Sequence, residues 1–169
     1  IGHHRVAGAG DVFALERLGA HATRAAGQFR EHERLGRAAE HAAAEQPAVD
    51  AHRIACKVVD IAEAALDPAE ALAFVSDPAF GGIDLFVGRV RSVNHGRIVT
   101  GIHYDMFDPL TLKVFARSAE AAIAAHGPQA KVYIAHAKGR LQVGDTAVIV
   151  AFATPHRDAA FRGCREVIE

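Results

Sequence analysis

Residues 146–153, Thr-Ala-Val-Ile-Val-Ala-Phe-Ala, are almost wholly apolar and carry no charge. A short, β-branched apolar run bounded by Gly144-Asp145 and Pro155 reads as a strand at the centre of a sheet. Residues 131–137 read as a second strand, joined to it through Gly139 and Gly144-Asp145. Any fold for this chain must therefore place helices and further strands around that apolar pair.

The signals on either side fit a mixed α and β domain. Residues 53–60 read as a first strand, and Asp67-Pro68 supplies a cap and a first-turn proline for a short helix carrying Leu72 and Val75. After the break at Gly81-Gly82, residues 83–91 are strand-like. Asn94-His95-Gly96 is turn chemistry, and residues 98–105 read as the returning partner, which predicts a β-hairpin with a longer loop. Arg89, Arg91, His95 and Arg97 crowd that end. Asp108-Pro109 opens a helix in which Leu112, Phe115, Ala119, Ala122 and Ile123 recur at helical spacing until Gly127-Pro128. Residues 158–169 read as a last helix with Phe161, Cys164 and Ile168 on one face. Composition shifts near Pro47. Before it, residues 11–45 are rich in Ala, Arg, Glu and His with thinly spaced apolar positions, so residues 1–50 read as a helical N-terminal extension of unassigned role.

At 169 residues and 50% hydrophobic content, the chain can bury a core and is most simply one domain with that appendage. A formal net charge of -1 gives no global attraction to nucleic acid or a membrane surface, so anion recognition has to be local. No apolar run approaches the roughly 20 residues of a membrane span, and the start lacks a secretory pattern, so a cytoplasmic protein is expected. Cys56 and Cys164 read as small buried hydrophobes, and the eleven histidines are scattered, so no metal is assigned.

One junction carries chemistry. In Ala153-Thr154-Pro155-His156-Arg157-Asp158-Ala159-Ala160-Phe161, an imidazole and a guanidinium sit side by side where the apolar strand gives way to a helix. Cationic donors and helix-start N–H groups then converge, which suits a small anionic ligand.

Four separated blocks extend this reading: Phe86-Val87-Gly88-Arg89-Val90-Arg91 with Asn94-His95-Gly96; Tyr104-Asp105-Met106-Phe107-Asp108-Pro109; Gly139-Arg140-Leu141-Gln142-Val143-Gly144-Asp145; and His156-Arg157-Asp158-Ala159-Ala160-Phe161. In order and spacing they resemble the large, catalytic subunit of molybdopterin synthase, the MoaE family, over residues 51–169. The resemblance implies an α/β hammerhead, an α+β fold with a mainly antiparallel sheet. It also implies a sulfurtransferase of molybdenum cofactor biosynthesis. A small ubiquitin-like sulfur-carrier subunit, of MoaD type, inserts a C-terminal thiocarboxylate, and two sulfurs pass to cyclic pyranopterin monophosphate (precursor Z), giving molybdopterin. A homodimer of large subunits within a heterotetramer is implied, and no resident cofactor. By position the resemblance places Arg91, His156, Arg157 and Phe86 in the substrate pocket, Arg91 reaching across the dimer. Arginine keeps its charge at neutral pH, as a phosphate clamp requires. His156 can donate to the phosphate or shuttle a proton, since imidazole titrates near neutrality.

The chain departs from the family in two places. The family's catalytic lysine is expected just beyond Glu169, so no catalytic residue is assigned within the sequence. Either a further C-terminal tail supplies it, or the chain is a non-catalytic module that binds a ubiquitin-like small subunit or a phosphorylated small molecule. Ala137 stands where the family has a basic residue, with Lys138 one place on.

Overall fold

Side-chain alternation in two strands organises the molecule. In the computed structural model, which describes residues 52–169, β6 (Lys131–Gln142) and β7 (Thr146–Thr154) pair antiparallel. Val132, Ile134, Val148, Val150 and Phe152 pack into one core, and Tyr133, Ala135, Ala137, Ile149, Ala151 and Ala153 into the other. This period-of-two division covers both faces, which is why residues 146–153 read as continuously apolar. The expected helical extension over residues 1–50 lies outside the described residues.

β1 (Ile54–Asp60) lies parallel to β6 and β2 (Gly82–Arg89) antiparallel to β7, giving the order β1-β6-β7-β2. The short helix α1 (Pro68–Val75) covers one face through Ala71 and Val75. Asp67 caps it by accepting the Ala69 N–H at 2.8 Å, and Pro68 occupies its first turn. The opposite face holds α2 (Asp108–His126), through Phe115, Ala119 and Ala122, and α3 (Arg157–Ile168), through Cys164 and Val167. The small alanines let α2 approach the sheet closely. The mixed α+β architecture with a mostly antiparallel sheet is thus the expected one.

Three details differ from the sequence reading. The segment at residues 98–105 does not return along β2. His95 (φ 48) and Gly96 (φ 74) make a two-residue turn that closes a small hairpin of β3 (Val93–Asn94) and β4 (Arg97–Ile98). Two successive left-handed residues make the tight hairpin turn, so the chain reverses at once instead of through a long loop. The following strand, β5 (Gly101–Tyr104), pairs antiparallel with the end of β6. That pairing is available because β6 runs on to Gln142, past the expected end at Ala137, turning at Gly139 (φ 92), where a side chain would be strained. Finally, Phe161 is 56% exposed; the buried stripe of α3 is Ala160, Gly163, Cys164 and Val167. The sheet contacts the helix one position away from the large aromatic, on the side of the small residues.

Candidate functional site

β7 ends at Thr154, opposite Gly82 in the β2 register, and the chain turns through Pro155 into α3. His156 takes the N-cap position in an extended conformation but makes no side-chain capping bond. Arg157 is the first helical residue, and both side chains are exposed. Asp158, the nearest acidic neighbour, is held by Arg162 one turn on at 2.7 Å. The arrangement therefore places an exposed imidazole and an exposed guanidinium on successive residues at the start of α3, beside its first-turn N–H groups and at the positive end of the helix dipole.

The backbone here is closely held. Thr154, 1% exposed, donates its Oγ1 hydrogen to the His156 carbonyl at 2.8 Å. That carbonyl also receives the Ala160 N–H at a long 3.4 Å. The Gly81 N–H donates to the Pro155 carbonyl at 3.2 Å. Gly82 lies so close that a Cβ there would stand 2.7 Å from the Arg157 Cα and 2.8 Å from its N. A shallow groove beside the pair is lined by His126, Pro128, Gln129, Thr154, His156 and Ala159. A hydrogen bond between the His126 Nε2 and the Glu166 carboxylate ties the end of α2 to α3 along it.

Phe86 is 39% exposed midway along β2, opposite Val150. Arg91 lies beyond the other end of β2, where its guanidinium donates to the Asn94 side chain. Arg89 is turned onto the Gly144 carbonyl. Seven strand steps separate Gly82 from Arg89, about 23 Å at strand spacing. Within one chain, then, the structure brings His156 and Arg157 together, sets Phe86 between the two ends, and does not bring Arg91 to the pair.

The remaining chemistry-bearing residues are structural in their surroundings. Lys138, beside the unmatched Ala137, is paired with Asp108 at 2.7 Å, which raises its pKa. Tyr104 packs edge-on against His136, with ring centroids 4.8 Å apart. Burial holds the His136 imidazole below its ordinary pKa. Burial, with Glu120 as a lesser cause, pushes the Cys56 thiol up to about 12; burial, then Asp84, does the same for Cys164. Neither is a thiolate at neutral pH, so neither is suited to carry sulfur as a nucleophile. Cys164 is fully buried as expected, whereas Cys56 is only half-buried. Among the described residues no group of three or more His, Cys, Asp or Glu is placed to hold a metal ion, and no helix is long and apolar enough to cross a membrane.

In the sequence Gly81-Gly82 reads only as a break, and nothing singles out Thr154. A paired glycine at a strand start also signals close approach of another backbone, which is its role here.

The MoaE protein family matches residues 61–169, more than half of the chain. A protein of Synechococcus elongatus named molybdopterin synthase catalytic subunit is 37% identical over 111 residues, covering 66% of this chain and 67% of that one. The crystal structure of molybdopterin synthase from Staphylococcus aureus superposes with a TM-score of 0.61 at 25% identity, over 66% of this chain and 78% of that one. At 22% identity and a TM-score of 0.53, the fold is also that of a chain in the complex of subunits 1 and 2 of molybdopterin-converting factor from Helicobacter pylori, over 67% of this chain and 74% of that one.

Proposed function

The chain belongs to the MoaE protein family, and we propose that it is the large, sulfur-inserting subunit of molybdopterin synthase, converting cyclic pyranopterin monophosphate to molybdopterin with a thiocarboxylated ubiquitin-like small subunit as donor. The observation that carries this reading is the exposed His156-Arg157 pair at the start of α3, in a chain whose residues 61–169 match that family. A cyclic phosphate and a thiocarboxylate are both anions, and the pair offers a permanent charge, an imidazole and helix N–H groups. Arg157 holds the phosphate, and His156 donates to it; Phe86 lines the pocket.

Arg91 enters this reading from a second copy. β2 is the edge strand of its sheet, with Ile83 41% and Phe86 39% exposed along it. Two copies related by a two-fold axis, with their β2 strands side by side and oppositely directed, set the Arg91 end of one against the His156-Arg157 end of the other. The separation within one chain then becomes proximity in a homodimer, and each site takes residues from both copies.

The test is reconstitution. The full protein, mixed with thiocarboxylated small subunit and cyclic pyranopterin monophosphate, is expected to give dithiolene product. Capture of the small subunit with no product would favour the non-catalytic module. Equal product formation by the Arg157→Ala variant would remove the phosphate clamp from the reading.

A further inference from the structure

α3 starts without the residue best suited to start it. An Asp, Ser or Thr at the N-cap would accept a first-turn N–H and stabilise the helix, yet His156 stands there and makes no such bond. The holding is done from outside the helix. Thr154 donates to the His156 carbonyl at 2.8 Å, reinforcing a junction whose own first helical bond is long at 3.4 Å. The Thr154 methyl faces Gly127, where a Cβ would stand 3.2 Å away, so the hydroxyl is directed to the turn. From the other side, Gly82 presses its backbone against Arg157, with a notional Cβ at 2.7 Å from the Arg157 Cα. These contacts fix the peptide between His156 and Arg157 while leaving the imidazole and the first-turn N–H groups out of the capping.

We propose that Thr154 and Gly82 are positioning residues for substrate binding: they set the His156-Arg157 peptide so that imidazole, guanidinium and helix N–H groups point at one phosphate. This rests on the phosphate-clamp reading of His156 and Arg157. A misplacement of a few tenths of an ångström weakens every one of those bonds together, because they share one peptide.

The experiment measures kcat and KM for cyclic pyranopterin monophosphate with the full protein and its thiocarboxylated small subunit, alongside melting temperature. Thr154→Val removes the hydroxyl at nearly constant volume and is expected to raise KM about tenfold with kcat within about twofold. Thr154→Ser keeps the hydroxyl and is expected to bring KM back to within about twofold of the parent, whatever its melting temperature. Gly82→Ala loses no hydrogen bond but displaces Arg157, and is expected to raise KM in the same way; it keeps the proposal testable if Thr154→Val does not fold. Arg157→Ala is the reference. If it raises KM while Thr154→Val and Gly82→Ala leave KM unchanged, the positioning role is overturned. It is equally overturned if Thr154→Ser is as defective as Thr154→Val. If Arg157→Ala itself leaves KM unchanged, the phosphate clamp fails and takes the positioning role with it.

Discussion

At its first residue β2 is wedged against the start of α3, with Gly82 in near backbone contact with Arg157; past its last residue it leaves the sheet for a hairpin in the open. The register slips between Gly88 and Arg89, and in the β3–β4 hairpin beyond it Ile98 is 86% and Val93 52% exposed. The first end takes its geometry from contacts inside the chain. At the second, Arg91 and Arg97 stand with the exposed Val93 and Ile98 on the surface. One end of β2 is thus finished within the chain, and the other is displayed on its surface.

The largest expected effect comes from dividing the two ends between copies. Arg157→Ala and Arg91→Ala should each lower kcat/KM by about 100-fold, the loss of a charge-assisted bond to phosphate. Coexpressed, they should recover about a quarter of the parental activity, because a mixed dimer restores one intact site. No recovery on mixing would place both arginines in the same copy's site and break the comparison. Next, Ile98→Asp should weaken self-association by about 2 kcal/mol, from the apolar area no longer buried, with the melting temperature of the monomer unmoved. Analytical ultracentrifugation reads the difference, and an unchanged dimer would take the hairpin out of the interface. At about 1 kcal/mol, Asp67→Ala should lower stability to urea by removing the α1 cap, with activity intact, since α1 lies on the sheet face opposite α3.

The smallest effect is a pH dependence. The buried His136 has a folded pKa held below its ordinary value of 6.5, so the unfolded chain binds the proton more readily. Its contribution is complete above 6.5 and is lost as pH falls below that value toward the folded pKa. Urea midpoints measured from pH 7.5 to 5 should fall, and the slope should flatten in His136→Phe. An equal slope in that variant would assign the acid sensitivity elsewhere.

Much of this was legible in the sequence, for reasons that can be named. Residues 146–153 announced a central strand because both faces of β7 are covered. Asp67-Pro68 and Gly127 marked helix ends through local cap and breaker chemistry. His156-Arg157 stands out because an imidazole and a guanidinium follow an apolar strand directly at a helix start, a place that suits an anion, and because the other three blocks accompany it. The partner of β5 was not legible, because pairing depends on where β6 bends, and a positive φ at Gly139 is written in one residue far from β5. The apolar face of α3 was misplaced because Phe161 matches the helical period as well as Ala160 does, and only the packed sheet chooses between them. The distance from Arg91 to His156 was beyond sequence reading altogether, since it is a property of strand order.

The pairing of Gly82 with Thr154 also bears on how the protein is made. The two residues stand roughly seventy positions apart, and contacts of such span close late in folding because the intervening loop must first be ordered. The β6–β7 hairpin is local and can assemble early, without any help from β2. A newly synthesised chain should therefore acquire most of its secondary structure before the His156-Arg157 junction is locked. If the proposed phosphate clamp sits at that junction, anion binding there would then report completed folding.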